Sequence, residues 1–270
     1  MAILEPFALA IGFLLSYVYD FTLSYGFAIA ILTVIINVII FPLTLRQTRS
    51  TKRMQDAQSD IKKLQKQHKD NKEDLNKAMA AMYKEKGINP LGCILPLIIQ
   101  MPIWFALFRV LREPLEFIQA SSILFKDLEV STSLTFFNMD LQIPPSEVAE
   151  WIDRVPYLIL ILFVILTALF QQQQITKKSG KSDNPQAQQM QMVGKVMPIF
   201  FGFISWTLPT GLVVYFLTGN IFRIGQQALI VKLDDREEVK DEKKEEKDED
   251  TQTNPVQENP RKNRKKRRRK

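Results

Sequence analysis

This chain has very little of the chemistry that most enzymes need. Its one cysteine, Cys93, excludes a disulfide framework and a cysteine-built zinc site. Its one histidine, His68, excludes histidine-cluster metal chemistry and argues against a Ser–His triad. No GxGxxG motif and no Gly-rich phosphate loop occur, so no nucleotide cofactor is expected. The long apolar runs contain no Asp or Glu, which an ion-coupled transporter would need.

Apolar sequence is present in blocks. The mean hydropathy of −0.07 resembles that of a soluble protein, but it averages two unlike parts. Residues 26–45 carry no charge, whereas residues 232–270 carry 15 Lys+Arg and 12 Asp+Glu. Five segments read as membrane spans, since a bilayer core takes about 20 apolar residues. They are 26–46, 91–111, and three more within 155–231: from Val155 to about Gln171, from Val196 to Leu208, and from Leu212 to Val231. Residues 7–19 are apolar but too short to span, so 1–25 reads as an external interfacial helix. It makes a poor signal peptide, because Glu5 and not a basic region precedes it.

Charge sets the orientation, because basic loops stay in the cytoplasm. Connector 47–90 and its flank at Arg46 carry twelve Lys+Arg, whereas 112–154 carries three against eight acids. Lys177, Lys178, Lys181 and Lys195 surround the third connector, and the tail 232–270 is basic at its end. The expected fold class is therefore an all-α polytopic membrane protein of five transmembrane helices. Its N-terminus and the 112–154 loop lie outside, and its C-terminus lies in the cytoplasm, in a plasma membrane. Within 47–90, Met54, Ala57, Ile61, Leu64 and His68, then Leu75, Ala78, Met79 and Met82, suggest a cytoplasmic helical hairpin with a polar turn at 69–72. His68 reads as a seam or surface residue.

Polar residues stand in the apolar blocks: Asn37, Gln100, Ser205, Thr218 and Asn220. Helix–helix hydrogen bonding is one reading, worth about 0.6 kcal/mol per bond. A hydrated cavity between helices is the other, and several polar positions on different spans favour it.

Several ordered motifs then resemble the YidC/Oxa/Alb family of membrane protein insertases. They are Phe41-Pro42-Leu43-Thr44 before the basic hairpin, Gly87-Ile88-Asn89-Pro90-Leu91, and the run Leu95-Pro96-Leu97-Ile98-Ile99-Gln100-Met101-Pro102. Phe137-Asn138-Met139-Asp140-Leu141, Met197-Pro198-Ile199-Phe200 and Pro209-Thr210-Gly211-Leu212-Val213-Val214-Tyr215 continue the series, with Asn220 and Gln226-Gln227 beyond. The likeness covers about residues 6–230 and is to the short Gram-positive type.

The resemblance implies a non-enzymatic insertase with a hydrophilic groove open to the cytoplasm. Asn37, Gln100, Asn220, Ser205 and Thr218 would contact substrate, with Arg46 and Arg49 at the cytoplasmic mouth. The family usually places an arginine five residues before the Pro-Leu that ends span one, and here Asn37 occupies that position. The groove is accordingly expected without its usual positive charge. Implied partners are nascent membrane proteins, the ribosome, a Sec translocon and anionic lipid. The tail residues Arg261, Lys262, Arg264, Lys265, Lys266, Arg267, Arg268, Arg269 and Lys270 would meet ribosomal RNA or anionic headgroups. A small-solute channel or transporter, or a scaffold for another membrane complex, are the competing readings. No metal is expected, and residues 232–270 are expected to be disordered.

Overall fold

The computed structural model describes residues 4–69, 71–88, 95–130, 134–176 and 185–253, apart from the side chains of 55, 95–99, 175–176, 185–191, 193–195 and 235–253. Ten helices, α1 (Glu5–Thr22), α2 (Tyr25–Asp56), α3 (Gln58–Gln67), α4 (Lys72–Glu85), α5 (Leu95–Arg112), α6 (Pro114–Phe117), α7 (Ile123–Val130), α8 (Val155–Thr176), α9 (Pro185–Ser205) and α10 (Thr210–Thr253), account for most of these residues. The chain divides into two compact units, Met1–Gly225 and Gln226–Lys270.

Two of the apolar segments form helices long and apolar enough to cross a membrane, Tyr25–Met54 and Val155–Gln174, and Val196–Ser205 is a shorter apolar stretch. Only 28% and 17% of the two long windows are buried. A core helix of a soluble protein hides its apolar side chains. Here Val38, Ile39, Leu162, Phe163, Ile199 and Phe203 stay outward, as lipid-facing residues would.

In the first unit, α1 lies against α2, α5, α6 and α7. Its inward face is Ala8, Ile11, Leu15, Val18 and Tyr19, at helical spacing. Its other face carries Phe13, Tyr17 and Phe21 in a run of ring contacts. Gly12 permits the close approach, since a Cβ there would lie 2.2 Å from the Phe117 carbonyl oxygen. Tyr19 donates to Asp127 Oδ2 at 2.8 Å, tying α1 to α7. Burial and that carboxylate push the Tyr19 phenol up to about 12.

The structure departs from the sequence reading in three places. The helix of the first expected span, α2, does not stop at 46 but runs to Asp56, so the hairpin helices are α3 and α4 alone. No glycine interrupts 27–56, and Pro42 is accommodated inside the helix. The fold is not wholly α-helical either. Thr135–Phe136 pairs antiparallel with Met139–Asp140 around Phe137 and Asn138, both at positive φ, 50° and 62°. A two-residue hairpin loop needs that handedness at both positions, and asparagine tolerates it well. Finally, α10 continues through the charged segment 232–253, where composition predicts disorder. No glycine or proline occurs from 226 to 254, and the helix ends two residues before Pro255.

Residues of the 112–154 connector also seat α10. Ile143 O accepts from the Thr210 amide at 3.1 Å and from its hydroxyl at 2.8 Å, and Leu141 O accepts from the Gly211 amide at 2.8 Å. These carbonyls satisfy donors that a helix start leaves unpaired. In the hairpin, Asn71 caps α4 through the Glu73 and Asp74 amides, and Asp60 pairs with Lys86 and Lys63. Lys86 first and Lys63 second hold the Asp60 carboxyl below its usual range.

Candidate functional site: a polar cavity between four helices

A cavity of about 580 Å³ lies between α5, α8, α9 and α10. Each helix contributes one face at three-four spacing: Gln100 and Trp104 from α5, Val164, Ala168 and Gln171 from α8, Met197, Phe201 and Ile204 from α9, and Phe216, Asn220 and Arg223 from α10. The walls are mostly apolar, with methionine and aromatic side chains prominent. Gly202 lets α9 close on α8 beside the cavity, since a Cβ there would lie 2.4 Å from Ile165.

The polar groups form a connected set. Gln100 Nε2 donates to the Tyr215 hydroxyl. Asn220 Nδ2 donates to Val164 O and to Thr167 Oγ1, each at 3.3 Å, linking α10 to α8. Asn220 Oδ1 accepts from Arg223 Nη2 at 3.0 Å. The Arg223 guanidinium lies back over Gly219, where a Cβ would be 3.4 Å from Nη2. Among the described residues no carboxylate pairs with Arg223.

Of the residues expected at the site, the structure brings Gln100 and Asn220 to this cavity and does not bring the others. Asn37 is half-buried on α2, and its Nδ2 donates to Thr33 O of the preceding turn at 2.7 Å. Ser205 is fully buried with its hydroxyl on Phe201 O at 2.7 Å. Thr218 lines a separate cavity of about 470 Å³, otherwise walled by apolar groups such as Phe27, Phe136, Ile159 and Leu217. Arg46 and Arg49 sit on the extension of α2, Arg46 exposed. Arg261, Lys262, Arg264, Lys265, Lys266, Arg267, Arg268, Arg269 and Lys270 lie outside the described residues, as do Asn89, Pro90 and Cys93.

Sequence reasoning did not single out Arg223, which the structure places on the cavity wall. Its signal was a charge in an apolar run, three residues after Asn220 and seven after Phe216, hence on their face. No group of three or more His, Cys, Asp or Glu able to hold a metal occurs among the described residues. The cavity holds a cation, amides, a phenol and a greasy wall.

Residues 17–237 match the model of the family described as 60Kd inner membrane protein. Among similar proteins is the membrane protein insertase YidC of Treponema denticola, 33% identical over 85% of this chain and 38% of that protein. The membrane protein insertase YidC of Pelodictyon phaeoclathratiforme is 34% identical over 80% of this chain and 35% of that protein. The chain thus spans little more than a third of the length of the curated relatives it matches. The crystal structure of an active YidC insertase with its first transmembrane domain resolved shares the fold, with a TM-score of 0.52 and 24% identity over 79% of this chain and 43% of that one. With the greater part of its length matched by the family model, the chain belongs to the 60Kd inner membrane protein family.

Proposed function

We propose that this protein is a membrane protein insertase. It moves short polar tails across the bilayer and releases hydrophobic segments into it. The observation that carries the reading is a partly polar cavity, with a cation and no reactive group, among helices whose outer faces are apolar. The family relatives named membrane protein insertase support it.

The physical problem is one of barrier. Twenty apolar residues entering lipid gain roughly 6–12 kcal/mol, and two acidic residues at the bilayer centre cost about 5–7 kcal/mol. The transfer runs downhill without a nucleotide. A cavity that carries water and hydrogen-bond partners part-way across shortens the dry path. Gln100, Tyr215, Asn220 and Arg223 would solvate the tail while Met197, Phe201 and Trp104 hold the apolar segment. No bond is made or broken, so the activity is not enzymatic in the chemical sense.

In this reading the chain has five spans, with α1 in the outer interface and α5, α9 and α10 joining the two long helices. The basic 46–90 segment, the third connector and the tail face the cytoplasm. Asn37, Ser205 and Thr218 are polar points elsewhere along the spans, and Arg46 and Arg49 stand at the cytoplasmic end of the first. Nascent membrane proteins are the substrates. The ribosome and a Sec translocon are the partners, and 261–270 meets ribosomal RNA or anionic lipid.

Reconstitution tests the function. Liposomes holding the full chain should protect the translocated tail of a single-span substrate from added protease, and empty liposomes should not. Solute flux without insertion would instead support a channel. Neither activity would leave a scaffold role.

A further inference from the structure

We infer that the pocket between the α1–α2 turn, α7 and the strand Thr135–Phe136 binds a primary ammonium group, and that its carrier is the ethanolamine headgroup of a membrane phospholipid. The inference goes beyond the insertase reading and does not need it.

A cavity of about 340 Å³ opens there, with Tyr19, Ser24, Tyr25, Asp127 and Thr135 as its polar lining. Two observations mark it as a place for a guest. Tyr25 is only 2% exposed, and its hydroxyl is buried without a hydrogen-bond partner. A buried hydroxyl left unpaired costs about 1–3 kcal/mol, so a group that enters the pocket and meets it is favoured. Asp127 supplies the charge. It is half-buried, accepts from the Tyr19 hydroxyl through Oδ2 at 2.8 Å, and pairs with no basic side chain among the described residues. A second carboxylate, Asp20, is held nearby by the Ile123 amide at 3.1 Å. After burial, the Asp127 bond and the charges of Asp127 and Asp20 are what raise the Tyr19 phenol. The local field is negative and lacks a counter-charge.

The acceptor set decides which cation fits. One carboxylate among hydroxyls falls short of the roughly six to eight oxygens, several of them anionic, that a calcium ion collects. An ammonium needs only acceptors for its N–H bonds, and Asp127 and the hydroxyl oxygens offer them. The hydroxyls have protons to give in turn, and a phosphate beside the ammonium accepts them. Position selects the carrier. The pocket lies at the start of α2, where a helix long enough to cross a membrane begins, and therefore at headgroup depth. Its rim carries Leu23, 65% exposed, and Val130, 88% exposed. Bare aliphatic groups beside a carboxylate suit a molecule with a cationic head and acyl chains.

In the experiment the full chain in detergent micelles is titrated with phosphatidylethanolamine or phosphatidylcholine of identical acyl chains, and bound lipid is counted by native mass spectrometry. The two lipids share a phosphate and differ in the N–H donors. Wild type should retain phosphatidylethanolamine about tenfold better, equivalent to ~1.4 kcal/mol. Asp127→Asn, which keeps an acceptor for Tyr19, should abolish that preference, and Tyr25→Phe should reduce it about threefold. Glu150→Gln, at an exposed acid outside the pocket, should leave it intact. Free ethanolamine at the lipid's concentration should not displace the lipid. Equal retention of the two lipids by wild type, or an unchanged preference in folded Asp127→Asn or Tyr25→Phe, overturns the inference and leaves the pocket to water. A preference lost equally in Glu150→Gln overturns it in favour of general surface charge. Displacement by free ethanolamine overturns the lipid assignment and makes a soluble amine the ligand.

Discussion

Asn220 performs two tasks that different substitutions separate. It is 7% exposed, donates twice to α8, and accepts once from Arg223. Asn220→Ala removes all three bonds. The two cross-helix bonds are long, at 3.3 Å, so each is given the membrane average of about 0.6 kcal/mol. The bond from the guanidinium is charge-assisted, worth about 1.5–3 kcal/mol. It is taken at the lower end because cavity water can replace it. The expected loss is roughly 2–3 kcal/mol, a fall of about 5–10 °C in the thermal midpoint of the detergent-solubilised protein. Asn220→Asp keeps the side chain's size and strengthens the contact to Arg223 while giving up donation to Val164 O. Its stability should stay within about 1 kcal/mol of wild type. Yet it pairs the Arg223 cation internally and leaves the cavity without an unpaired charge. Thr167→Val with Asn220→Ala completes a double-mutant cycle whose coupling should be about 0.6 kcal/mol. A stable Asn220→Ala protein with no coupling to Thr167 would refute this account of how α10 is fixed to α8.

Four further outcomes are expected. Gly12→Ala places a methyl 2.2 Å from the Phe117 carbonyl oxygen, where the backbone must give way, and should cost about 2–3 kcal/mol by thermal unfolding, while Ala10→Val on the exposed face of the same helix should cost under about 0.5 kcal/mol. Asp60 is depressed by Lys86 and Lys63, so its contribution is present above the ordinary value of 3.8 and is lost as pH falls through the lowered one; amide exchange in α3 and α4 should be steady from pH 5 to 8 and rise in acid, and Asp60→Asn should show the faster exchange throughout. In a Cys93→Ser background, Ser59→Cys and Ser121→Cys should react with an impermeant thiol reagent from opposite faces of the membrane, and labelling from one face would overturn the five-span topology. Deletion of 255–270 should weaken ribosome co-sedimentation, and the intact chain's binding should fall steeply with salt; unchanged binding at low salt would move the tail to the lipid surface.

Helix formation, membrane residence and family were carried by the sequence itself, because each depends on local composition. An uncharged run at 26–45 or 155–170 forms helix to satisfy its own backbone in lipid, whatever surrounds it. The motifs around Pro42, Gln100 and Tyr215 likewise stand in linear order. The two-residue ladder at Thr135–Asp140 and the extension of α2 to Asp56 were less legible, because weak local preferences compete there. The site was decided by tertiary structure. Asn37, Ser205 and Thr218 look like Gln100 and Asn220 in a sequence, a polar group in an apolar run. Only packing sends the Asn37 amide and the Ser205 hydroxyl to carbonyls of their own helices and turns Gln100 and Asn220 into the cavity. Arg223 shows the same division. Its charge and its place on the Asn220 face can be read from spacing. That its guanidinium folds back over Gly219 and meets no carboxylate depends on which helices surround it, and long-range contacts of that kind are not written in local sequence.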